Sequence, residues 1–107
     1  FGRTKPEAFI ERYCSKLSIN NELTKLAMFI SMKIEKNDLM PENTPQSIAS
    51  GVVYFIAQTF QLNISKRDVK IISETSEVTI NKCFKKLEKM KAELIPSVIL
   101  KKYKQTI

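Results

Sequence analysis

The chain contains no histidine and no tryptophan, and only two glycines and two cysteines among its 107 residues. The missing imidazole excludes serine–histidine and cysteine–histidine catalysis, and every zinc site that needs a histidine ligand. Two cysteines cannot supply a four-thiolate zinc site. The glycines, Gly2 and Gly51, lie far apart, so there is no glycine-rich phosphate loop. Apolar runs are short: none reaches the roughly 18 residues of a membrane span. No signal peptide is expected either. These absences remove most cofactor-bearing and catalytic classes. No cofactor, no membrane partner and no small-molecule substrate is expected.

What remains is a length that suits one domain, with 43% hydrophobic residues to build a core. The first residue is Phe1, not methionine. The expectation is a single domain over residues 1–107, taken from a longer protein. Cys14 and Cys83 both fall in helical patterns, and two buried thiols in a reduced compartment is the plain reading. A disulfide is the alternative, and nothing in the sequence argues for it.

Net charge is +7 and unevenly spread. Residues 1–63 carry seven lysines and arginines against six acids, whereas residues 64–107 carry eleven against five. A basic end on a compact domain points to a polyanion, most often nucleic acid. A lysine face kept for solubility is the competing reading.

With glycine scarce, proline and asparagine punctuate the chain. Pro6 opens a first helix, in which Phe9, Ile10, Tyr13 and Leu17 form an apolar stripe up to about Ser18. Asn20 caps a second helix, with Ile19 placed to staple it and Leu23, Leu26, Ala27, Ile30 and Ile34 facing inward. The loop NDLMPENTP, residues 37–45, ends it. Thr44 and Pro45 then start a third helix, whose segment SIASGVVYFIA, residues 47–57, has almost no polar side. Such a helix is surrounded by others. Gly51 within it costs about 1 kcal/mol of helix propensity, and close packing is the expected compensation. Ser65 caps a short fourth helix, with Asp68 as its capping-box acid and Val69 and Ile72 inward, ending near Thr75. Ser76 caps a fifth at once. Pro96 permits a last short helix through Leu100 and Lys101. The fold class is all-α, about five helices around a central one.

The fourth and fifth helices lie in residues 65–87, SKRDVKIISETSEVTINKCFKKL. A short helix, a tight turn and a longer helix make a helix-turn-helix. In its DNA-binding form the second helix enters the major groove. At about 100° per residue, Ile80, Phe84 and Leu87 define the buried side, and Val78, Lys82, Lys85 and Lys89 fall opposite, with Asn81 at the flank. A valine methyl can meet a thymine methyl, and Thr79 and Asn81 can bond base edges or phosphate. Lys82, Lys85 and Lys89 suit flanking phosphates. Ser65, Lys66 and Arg67 start the preceding helix, where backbone N–H groups and cations can hold another phosphate. The alternative is a purely structural helix pair, with Val78 folded back onto the turn.

Three stretches carry a family resemblance: FIERYCSKLSI (residues 9–19), NTPQSIASGVVYFIAQ (43–58) and SEVTINKCFKKL (76–87). In this order and spacing they resemble the opening, central and groove-reading helices of the second cyclin-like repeat of the transcription factor IIB family. The resemblance covers roughly residues 6–100. It implies a five-helix cyclin fold and a nuclear role in transcription initiation, with promoter DNA, TATA-binding protein and RNA polymerase II as partners. A zinc ribbon and a first repeat would lie upstream of Phe1. It also implies that Val78 reads bases beside the TATA element, with Thr79 and Lys85 at matching positions. Asn81 stands where the family has arginine, and asparagine cannot copy arginine's bidentate grip on guanine. The related polymerase III factor and the archaeal homologue share the repeat. A cyclin-type protein-interaction module without DNA binding is a different function class. An enzyme built on Glu74, Glu77 and the lysines is the least favoured reading, because surface helices commonly carry such pairs.

Overall fold

The computed structural model describes residues 6–95 and Val98. Among the described residues six helices are bounded in order: α1 (Pro6–Lys16), α2 (Asn21–Lys36), α3 (Pro45–Thr59), α4 (Lys66–Ser73), α5 (Glu77–Lys89) and α6 (Lys91–Leu94). No strand occurs among the described residues, and none of their helices is long and apolar enough to cross a membrane.

Each helix from α2 to α5 starts where a side chain accepts an otherwise unpaired backbone N–H. Asn20 accepts from Leu23 at 2.8 Å, Thr44 from Ser47 at 3.2 Å, and Ser76 from Thr79 at 3.2 Å. Ser65 and Asp68 form a full capping box.

Helix ends show what scarce glycine costs. Ser18, Asp38, Gln61 and Glu74 each follow or cap a helix with positive φ, at 58°, 49°, 56° and 57°. The first three close Schellman-type turns, in which Ile19 N–H bonds Cys14 O (2.9 Å), Leu39 bonds Ile34 (3.0 Å) and Leu62 bonds Ala57 (2.7 Å). These reversals end α1 at Lys16 and α4 at Ser73, slightly before the expected Ser18 and Thr75.

At the centre runs α3, in contact with α1, α2, α4 and α5. Every residue from Ile48 to Ala57 is buried. This matches the apolar all-round pattern, since a helix ringed by others has no face to leave polar. Ser50 is tolerated inside because its hydroxyl bonds the Ser47 carbonyl at 2.9 Å.

Beyond α5 the chain turns at Met90 into α6, and Leu94 and Ile95 are buried against the core. The Lys33 ammonium donates to the Glu93 carbonyl and ties this end to α2. No apolar periodicity marks so short a helix, which is why it escaped the sequence reading. The helix expected from Pro96 through Leu100 and Lys101 lies outside the described residues, apart from the exposed Val98.

Candidate nucleic-acid interface

The position of α5 follows from its inner stripe. Ile80, Cys83 and Leu87 are fully buried, and burying each of the two aliphatic side chains stabilises the fold by roughly 1.5–3 kcal/mol. Phe84 meets Tyr54 of α3 edge to face, with ring centroids 5.0 Å apart, and lies 6.3 Å from Phe55. With that side fixed, helical geometry decides the other. Val78 is 64% exposed, and Lys82, Lys85 and Lys89 are exposed along the same side. Val78 does not fold back onto the turn.

Among the described residues these three lysines make no ion pair. Lys86 differs: its ammonium bonds the Glu42 carboxylate and lies 3.4 Å from the Asn43 side-chain oxygen. That contact holds the Glu42 carboxyl below its ordinary pKa, chiefly through the hydrogen bond from Lys86. One lysine of α5 is therefore spent on the α2–α3 loop, while three face outward together.

The remaining sequence-predicted residues are placed less uniformly. Asn81 is half-buried at the flank of the stripe. Thr79 is half-buried, and its hydroxyl oxygen accepts from the Ser76 hydroxyl at 2.9 Å, which leaves its O–H free to donate and one lone pair free to accept. At the start of α4 the Ser65 N–H donates to the Asp68 carboxylate at 2.9 Å, and the Asp68 N–H donates to the Ser65 hydroxyl at 3.2 Å. The capping box thus occupies two of the N–H groups expected to meet a phosphate and adds a negative charge there. Lys66 and the exposed Arg67 keep their cations at this end. A shallow groove of about 410 Å³ runs beside them, lined by Tyr54, Gln58, Leu62 and Glu77 among others.

Two features escaped the sequence reading. Ile71 is 66% exposed on the outer side of α4. Periodicity from buried Val69 places it at about 200°, so the signal was available. Gln46 of α3 donates through its side-chain amide to the Ser73 carbonyl at the end of α4. That contact spans 27 positions, and no local pattern announces it.

Cys14 and Cys83 are free and buried, as their place in helical patterns predicts. Burial pushes both thiols above their ordinary pKa. Among the described residues no group of three or more Cys, Asp or Glu side chains is placed to hold a metal ion.

Comparison with known proteins adds the family. The family model described as "Transcription factor TFIIB repeat" matches residues 2–90. A transcription initiation factor IIB-like protein of Acanthamoeba polyphaga mimivirus is 36% identical over 81 residues, 76% of this chain. Transcription initiation factor IIB of Encephalitozoon cuniculi is 29% identical over 90% of the chain, and that of Oryza sativa subsp. japonica is 31% identical over 87%. The matched stretch covers 18%, 31% and 29% of these relatives' own lengths, so the chain corresponds to less than a third of each. With the family model spanning most of the chain and the helices in the expected order, the chain belongs to the transcription factor TFIIB repeat family.

Proposed function

We propose that this chain is a transcription-initiation repeat that binds promoter DNA next to the TATA element together with TATA-binding protein, and that helps recruit RNA polymerase II. In this reading it is the second of two repeats in a longer nuclear protein. Its role is binding, without catalysis. The observation that carries the reading is one exposed stripe on α5, where Val78 leads and Lys82, Lys85 and Lys89 follow with no acidic partner among the described residues.

The stripe fits a groove in two ways. Cations along its length suit flanking phosphates, which supply affinity without sequence preference. Val78 at its tip suits a thymine methyl, which supplies preference. Asn81 suits adenine or a phosphate better than the guanine an arginine would hold. The partners come to this chain only as what its resemblance to the family implies.

A gel-shift titration against a TATA promoter duplex carrying bound TATA-binding protein tests the reading. A supershift is expected, and Val78→Ala is expected to weaken it only for particular base pairs upstream of the TATA element. An equal loss on every upstream sequence removes the base-reading role of Val78.

One observation favours the protein-interaction module as a second reading. Phe29 and Met32 of α2 are 49% and 57% exposed and line a groove of about 560 Å³ with Glu7 and Lys33. Tight binding to a protein partner with no dependence on salt or DNA would favour it.

A further inference from the structure

The turn between α4 and α5 is held from outside the motif. Ser73 is 1% exposed, and its carbonyl accepts from the Gln46 side-chain amide and from the Thr75 hydroxyl at 3.3 Å. The Ser73 hydroxyl donates to the Val69 carbonyl at 2.6 Å and accepts from the Thr75 N–H at 3.3 Å. Between them Glu74 sits in the left-handed region at φ 57°. The Gln46 side chain also acts on the buried Tyr13 hydroxyl of α1. One carboxamide in the first turn of α3 therefore ties the central helix to the turn, beside α1.

A buried carbonyl at a helix end needs a donor. The Thr75 hydroxyl is a distant and local one, free to move with the turn. Gln46 belongs to the central helix, so it fixes the carbonyl relative to the core. The turn holds a non-glycine residue in a conformation that costs about 1–2 kcal/mol, so its geometry needs outside support. Small torsional changes at Glu74 and Thr75 rotate α5, and Val78 lies in the first turn after them.

We propose that Gln46 is a positioning residue for the groove-facing helix, its carboxamide fixing the Ser73 carbonyl and thereby the angle at which α5 presents Val78 and the lysine stripe. The functional consequence rests on the DNA reading above. The clamp itself rests on protein geometry alone.

Gln46→Glu tests it, because the two side chains are nearly isosteric while a carboxylate has no donor. Once protonated, the new carboxyl regains an O–H to give to Ser73. The folded state then favours the protonated form, so its folded pKa is raised. The clamp is present at low pH and lost as pH rises through that raised value. Arg12, Gln46 and Glu74 all act on the Tyr13 hydroxyl, which places Arg12 and Tyr13 of α1 and Glu74 of the turn among the charged and titratable groups near position 46. Only the variant carries a titrating group at position 46, where Arg12 lowers its pKa and Glu74 raises it, so the acid recovery is read against Gln46→Ala, which keeps all three neighbours without the carboxyl. The chain has no histidine, and burial raises the Tyr13 hydroxyl, so the parent adds little titration near neutrality.

The experiment follows backbone amide exchange over residues 73–79, and affinity for the TATA-binding protein–promoter duplex, in parent, Gln46→Glu and Gln46→Ala from about pH 4.5 to about pH 7.5. At neutral pH both variants should exchange the turn amides about three to ten times faster, with a similar loss of affinity. Their salt dependence should match the parent's. Towards the acid end Gln46→Glu should return to the parent and Gln46→Ala should not. Unchanged amides in Gln46→Ala, or no acid recovery in Gln46→Glu, overturns the clamp. Altered amides with unaltered affinity overturn the positioning role. A parent that never binds the complex overturns the DNA reading and the positioning role together, and it is told apart by an amide profile that still behaves as expected.

Discussion

Gly51 on α3 and Cys83 on α5 are packed so closely that a methyl group added at Gly51 would lie 2.4 Å from the Cys83 Cβ. The atom it meets is anchored to the backbone, so no side-chain rotation relieves the clash. Close approach is thus the return for a glycine inside a helix. It lets the central helix seat the outer helix of the helix-turn-helix.

Gly51→Ala should therefore destabilise the fold. Overpacking costs about 1–3 kcal/mol, offset by about 1 kcal/mol of helix propensity, for a net loss of up to roughly 2 kcal/mol in urea denaturation. Adding Cys83→Gly returns the missing space. The double variant should lose less stability than the two single variants together. Strict additivity would mean that the two positions do not compete for the same volume.

The glycine-poor helix ends make a second prediction. Gln61 has φ 56° just beyond α3, a region that disfavours L residues by about 1–2 kcal/mol. Gln61→Gly should raise stability by about 0.5–1 kcal/mol after the added freedom of the unfolded chain is counted. The same change at Thr24, within α2, should lower it. A thermal melt of the two variants decides the matter, and equal destabilisation would contradict the account of these turns.

The Lys86–Glu42 contact gives a pH signature. The Glu42 carboxyl is depressed, first by the hydrogen bond from Lys86 and then by a backbone hydrogen bond and the charge of Lys86. A depressed carboxylate contributes stability above its unfolded pKa of about 4.3, and that contribution is lost as pH falls through the folded value. Lys86→Met should lower the melting temperature slightly at neutral pH and in low salt. The difference from the parent should vanish in acid, and shrink in high salt because both partners are partly exposed. A difference that persists in acid would assign the effect to lost packing of the lysine stem.

The helices were legible because their signals are local. Thr44–Pro45 and Ser65 with Asp68 announce helix starts within a few residues, and the inner stripe Ile80, Phe84, Leu87 fixes the outward turn of Val78. Part of what stayed hidden depends on distant partners. Lys86 looks like its neighbouring lysines until Glu42 is placed beside it, and Gln46 looks like an ordinary first-turn residue until Ser73 is. The Ser65 and Asp68 spacing announces the capping box, and both of its bonds form. Its effect on the phosphate site expected there emerged only from the bond between the Ser65 N–H and the Asp68 carboxylate, which uses up a donor and adds a charge.

The central claim is that Lys82, Lys85 and Lys89 face a nucleic-acid backbone as a group. Its most direct test is the salt dependence of binding to a TATA promoter duplex carrying TATA-binding protein. With about three or four phosphate contacts, the slope of log affinity against log salt should be near −3, and Lys85→Ala should make it shallower by about one unit on every sequence. Lys86→Ala should leave it unchanged. A slope near zero, or equal effects of Lys85→Ala and Lys86→Ala, would contradict the account.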